Sequence, residues 1–152
     1  MMFRPRWPAN GLRTKKPTFM PNPSLPATLL PDLAWSFTGA RFADAQTFSE
    51  EVRQYQIDII GEDSWNPGQV VLPLARVLVA YECWKGDEQV TLTVELASVG
   101  GQHFTALDLM FQLHNAVVED LRDIDHHFFE GLGLNSLPVA GLPPLYLLHQ
   151  GS

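Results

Sequence analysis

The sequence predicts an α+β fold: one antiparallel sheet, built on a central long β-hairpin, with two helices on one of its faces. Three observations lead there. Gln89 to Leu96 alternate polar with apolar residues without a break, the period of a half-buried strand. Ala75, Val77, Val79, Tyr81 and Cys83 alternate in the same way, and Lys85-Gly86-Asp87-Glu88 joins the two arms through a two-residue Gly-Asp loop. Two stretches of helical period flank this pair.

The loop fixes the register. Cys83 must meet Val90, Tyr81 must meet Leu92, Val79 must meet Val94, and Val77 must meet Leu96. Every inward residue then lands on an inward residue, whereas a slip of one position would mix the faces. The hairpin is read as extending from Val70 to Ser98. Pro73, near its start, demotes the first arm to a sheet edge, because proline cannot donate to a ladder.

In chain order, Trp35 to Gly39 is a short alternating strand. A helix follows over 45–59, with Ala45, Phe48, Val52, Tyr55 and Ile59 on one face and a capping-box pattern at Thr47 to Glu50. Gly61 to Gly68 is a turn-rich loop, and Gly100-Gly101 closes the hairpin. Thr105 caps the second helix with Asp108 at its third position. Phe104 and Leu109 are placed for a hydrophobic staple, and Leu107, Met110, Phe111, His114, Val118 and Leu121 form the stripe. Two extended pieces, 127–132 and 145–149, pair with each other around a loop over 133–141. The order β-α-β-β-α-β, with an extra strand, is that of the ferredoxin-like plan, whose sheet keeps both helices on one face.

Charge divides the chain in two. Residues 1–31 hold seven of the twelve prolines and five of the ten cations (Arg4, Arg6, Arg13, Lys15, Lys16), with no acid. They read as a basic, flexible arm, carrying two weak PxxP patterns. Met20 is an alternative start that would remove most of it. Residues 32–152 carry all 17 carboxylates against the other five cations, a net charge of −12. Such a domain repels nucleic acid and attracts basic partners. The length suits a single core, and no run of apolar residues approaches a membrane span or a signal peptide, so a cytoplasmic location is the expectation. The lone cysteine, Cys83, falls on the inward face as a small core residue.

Chemistry-bearing groups are sparse. Asp120, Asp123, Asp125, His126, His127 and Glu130 form the one dense polar cluster, and its spacing fits no closed zinc or calcium motif. If a metal binds anywhere, Asp123, Asp125, His126 and His127 are the candidates, and the enzymatic alternative is a metal-assisted hydrolase using them. His114 lies on an apolar stripe and reads as a core histidine. His103 and Gly100-Gly101 are weak candidates for ligand contact. No nucleophile elbow, P-loop, dinucleotide fingerprint or zincin pattern occurs.

With both helices on one face, the other face of the hairpin shows Arg76, Leu78, Ala80, Glu82 and Trp84 beside Thr91, Thr93 and Glu95. Large apolar groups ringed by charge mark an interface. The sequence therefore points to a small acidic, non-enzymatic binding module without a cofactor, of the immunity, antidote or secretion-adaptor kind. Its basic protein partner would contact Arg76, Leu78, Glu82, Trp84, Glu95, Asp120 and Asp123. A homo-oligomeric structural protein is the third reading.

Overall fold

The computed structural model describes residues 25–152. The expectation of a flexible arm falls mostly on residues 1–24, outside the described residues. In chain order the elements are β1 (Thr28–Leu29), β2 (Trp35–Ser36), α1 (Ala45–Ile60), β3 (Val70–Leu72), β4 (Arg76–Lys85), β5 (Glu88–Ala97), β6 (Phe104–Thr105), α2 (Ala106–Leu121), β7 (Phe128–Ser136) and β8 (Leu145–Gly151). The class is α+β, with two helices and a mixed, mostly antiparallel sheet.

That sheet runs β5-β4-β8-β7, and β1 and β2 both pair along the far side of β7. β4 and β5 are antiparallel in the register set by the loop: Cys83 opposite Val90, Tyr81 opposite Leu92, Val79 opposite Val94, Val77 opposite Leu96. Gly86 occupies the first central position of the turn at φ 65°, where a type II′ hairpin demands a positive value. β7 and β8 pair, as expected, and are antiparallel, with β7 running on to Ser136 into the stretch expected as loop.

Four expectations are corrected. The strand order is not ferredoxin-like, because β8 lies beside β4 and parallel to it, with Leu78 opposite Leu145 and Ala80 opposite Leu147. β4 is therefore an inner strand and β5 is the edge. Pro73 does not bear on this, since it falls between β3 and β4 and its missing N–H never faces a ladder. The hairpin begins at Arg76, and Val70–Leu72 instead pairs with β6 in a separate two-stranded sheet. Finally, the ordered fold reaches back into the proline-rich stretch: Leu29 is buried, and the carbonyls of Pro26 and Ala27 accept from the Tyr146 hydroxyl and the Leu134 amide.

Local signals explain the helices. Thr105 caps α2, its hydroxyl accepting from the Asp108 amide at 3.1 Å, and Phe104 and Leu109 are both fully buried. For α1 the cap is Asp44 rather than Thr47. The Asp44 carboxylate accepts from the Thr47 amide at 2.8 Å, which holds its pKa below the ordinary value, and Gly61 closes the helix in the left-handed region. Ile59 is exposed and Gln56 buried, so the buried face of α1 is Phe48, Ser49, Val52 and Gln56. α2 buries more than its expected stripe, adding Ala106, Leu109, Leu113 and Val117. It packs on the inner face of β4 and β5, over Val77, Val79, Tyr81 and Cys83, while α1 packs on α2 and β2. Among the described residues, no helix is long and apolar enough to cross a membrane.

Candidate functional site: the uncovered face of the sheet

Strand alternation gives β4 two unlike faces. Val77, Val79, Tyr81 and Cys83 are buried, whereas Arg76, Glu82 and Trp84 are exposed and Leu78 is half-buried. Trp84 keeps 49% of its surface accessible. Because β8 runs beside β4, its outward residues extend the same surface: Leu145 opposite Leu78, Leu147 opposite Ala80, and His149 two positions beyond. Gln150 continues the pairing where the backbone ladder stops. Its amide accepts from the Glu82 N–H at 2.8 Å and donates to the Glu82 and His126 carbonyls at 2.9 Å.

One glycine on β7 and one on β8 let side chains of the neighbouring strand lie flat. A Cβ on Gly133 would come within 2.8 Å of the His149 ring, and one on Gly151 would run into the Glu130 carboxylate. The result is a groove of about 450 Å³ bordered by Trp84, Gln89, His126, Glu130, Leu147 and His149. Among the described residues, no lysine or arginine lines it, while Glu82 and Glu130 do. Glu82 accepts from the Gln89 amide at 2.7 Å.

The electrostatics away from the groove sharpen this asymmetry. Arg41, Arg53, Arg76 and Lys85 each pair with a carboxylate, Glu119, Asp63, Glu95 and Asp120 respectively, and Arg122 donates to the Gly39 carbonyl at 3.2 Å. All five cations of residues 32–152 are thus engaged, and thirteen of the 17 carboxylates have no cationic partner among the described residues.

The expected contact residues divide. Arg76, Leu78, Glu82, Trp84 and Glu95 share the uncovered face, with Arg76 and Glu95 joined at 2.7 Å. Asp120 is on the helix side instead, accepting from the Tyr81 hydroxyl at 2.6 Å and from Lys85 Nζ at 3.0 Å. Those bonds, Tyr81 first, hold its pKa below the ordinary carboxylate value. Its place at the negative end of a helix therefore has a structural reason. Asp123 is exposed beyond the end of α2 and is not among the residues lining the groove. Asp123, Asp125, His126 and His127 do not converge: His126 borders the groove, while His127 lies tilted against Phe128 and turns Nδ1 to the Ile124 carbonyl. Among the described residues, no three His, Cys, Asp or Glu side chains are grouped to hold a metal ion.

His114 is fully buried among Trp35, Phe37, Phe42 and Phe48. The Trp35 indole N–H, which can only donate, reaches Nδ1 at 3.1 Å, so Nε2 carries the proton and donates to the Ala40 carbonyl at 2.9 Å. The ring is neutral, and burial lowers its pKa. Sequence reasoning missed Leu147, His149 and Gln150 as site residues and placed Glu130 only in the polar cluster, because only the position of β8 brings the four together. The uninterrupted apolar run of 145–148 was the available signal for an inner strand. Compared with family models, curated proteins and solved structures, the chain matches none.

Proposed function

We propose that the chain is a non-enzymatic protein-binding module whose contact surface is this uncovered sheet face, and that its partner is basic. The observation that carries the reading is Trp84, an indole half open to solvent on a groove that holds two carboxylates and, among the described residues, no lysine or arginine. A soluble domain has no folding reason to leave its largest side chain there, whereas interfaces favour a tryptophan anchor with a charged rim. The net charge of −12 over residues 32–152 steers a cationic partner toward it. An immunity or antidote protein against a basic toxin, or an adaptor for a basic secreted protein, would use a surface of this kind inside the cell.

The test sets Trp84→Ala against Tyr81→Ala. With a partner recovered by affinity capture and identified, Trp84→Ala should weaken binding by about 2 kcal/mol or more and leave the melting point almost unchanged. Tyr81→Ala, on the buried side, should lose about 3–5 kcal/mol of stability. Equal losses of stability in the two variants would sink the interface reading.

A further inference from the structure

A second surface follows from the geometry of the hairpin. In a two-residue loop the flanking residues, Lys85 and Glu88, exchange both backbone hydrogen bonds, and the pattern then alternates along the arms. Cys83 with Val90, Tyr81 with Leu92, Val79 with Val94 and Val77 with Leu96 are therefore the bonded pairs. Independent contacts agree. The amides of Leu78 and Glu82 point away from β5, reaching the Pro144 carbonyl and Gln150, and the Ser98 amide points back to Ala75. On β5, the backbone groups of Gln89, Thr91, Thr93, Glu95 and Ala97 must then face outward. Ala97 fits, since its carbonyl is taken by Gln112 at 2.8 Å. The other four present N–H and C=O groups with no protein partner among the described residues.

Among the described residues β5 is the terminal strand of the sheet, ten residues long and paired with β4 without a bulge. It contains no proline, lysine or arginine, the usual guards of such an edge. On the inner side Val90, Leu92 and Val94 are only half covered.

We propose that this edge pairs with β5 of a second copy, antiparallel, with Leu92 on the two-fold axis. That register uses all four outward residues: Thr91 bonds to Thr93 of the second copy, and Gln89 to Glu95. On the inner face Val90 meets Val94 and Leu92 meets Leu92, covering the half-exposed apolar row. The charges are compatible, because the carboxylates of β5 never oppose one another. Glu95 is already neutralised by Arg76 and faces an amide that can donate to it. The pairing runs along the edge beside Gln89 and Thr91, which line the groove, and leaves Trp84 itself uncovered, so its test is separate from that of the function proposed above.

Sedimentation and light scattering over a wide concentration range, at low and high salt, test it. A monomer–dimer equilibrium should appear and tighten with salt, since two strongly acidic bodies repel until screened. In the dimer the amides of Gln89, Thr91, Thr93 and Glu95 should become protected from hydrogen exchange. Thr93→Pro removes an outward donor but no bond to β4, and should weaken dimerisation about tenfold or more. Because a proline can also perturb folding, a charge pair supplies the second arm. T91K/T93K and T91E/T93E should each be monomeric and should form a mixed dimer when combined. A chain that is monomeric throughout, or a dimer untouched by these variants, overturns the proposal. Salt-sensitive capture of a basic protein by a strictly monomeric chain would do so while leaving the Trp84 reading intact.

Discussion

The Tyr81 hydroxyl donates to the Asp120 carboxylate across 2.6 Å and joins the outer half of the hairpin to the last turn of α2. Lys85 closes the same carboxylate from the tip side at 3.0 Å. Tyr81→Phe should cost about 1–2 kcal/mol while leaving the ring in the core, well short of the loss from Tyr81→Ala. Urea unfolding at neutral pH measures the difference.

Asp120 also sets an acid limit. Its folded pKa lies below the ordinary 3.8, so the unfolded chain takes up the proton first as the solution is acidified. The stability it contributes is complete above about pH 5 and is lost as pH falls through the depressed value. Asp120→Asn should therefore be less stable than the parent at pH 6, with the gap narrowing toward pH 2. A constant gap would mean that the carboxylate's charge does not matter.

His114 works at a higher pH with the same sign. Its folded pKa is lowered by burial, so between its ordinary value of 6.5 and that lowered value only the unfolded chain is protonated. Stability should fall as pH drops below about 6.5, by at most about 1.4 kcal/mol per pH unit. His114→Gln removes the titration and can still accept from Trp35 and donate to Ala40, so its dependence on pH in this window should be flatter. His114→Leu strands both partners in the core and should cost about 2–4 kcal/mol.

The two glycines of β7 should respond differently to alanine. Gly131 has a φ of 99°, and an added Cβ would come within 3.2 Å of the Pro31 backbone, so Gly131→Ala should cost about 1–3 kcal/mol. At Gly133 the obstacle is the end of the His149 side chain, which can swing away. Gly133→Ala should cost well under half of that and should act mainly by reshaping the groove. Melting curves separate the first effect, and titration with a captured partner the second.

How much of this was legible depended on how local the cause was. The Thr105 cap, the Phe104–Leu109 staple and the register of β4 on β5 rest on residues a few positions apart, and the pattern alone determines them. The cap of α1 was misplaced by three residues because Asp44 and Thr47 both suit the role. Only the geometry shows the Asp44 carboxylate accepting from the Thr47 amide. Gln56 was invisible as a core residue. It is fully buried because its amide brackets the Ala34 backbone, accepting from the N–H at 3.0 Å and donating to the carbonyl, a long-range match that no periodicity encodes. Trp84 was placed on the open face by alternation alone. The rest of the groove depended on which strand lies beside β4, and alternation assigns faces without assigning neighbours.

The inner position of β8 has a consequence for the order of folding. It is the last strand in chain order, yet β4 and β7 meet only through it. A growing chain can form the β4–β5 hairpin and α2 early, but the two halves of the sheet stay unjoined until residues 145–151 arrive. Loop closure between Leu78 and Leu145 is a costly, late step, and mixed topologies of this kind fold slowly. Until then β4 has a second unpaired edge, the kind of strand edge at which mispairing is expected.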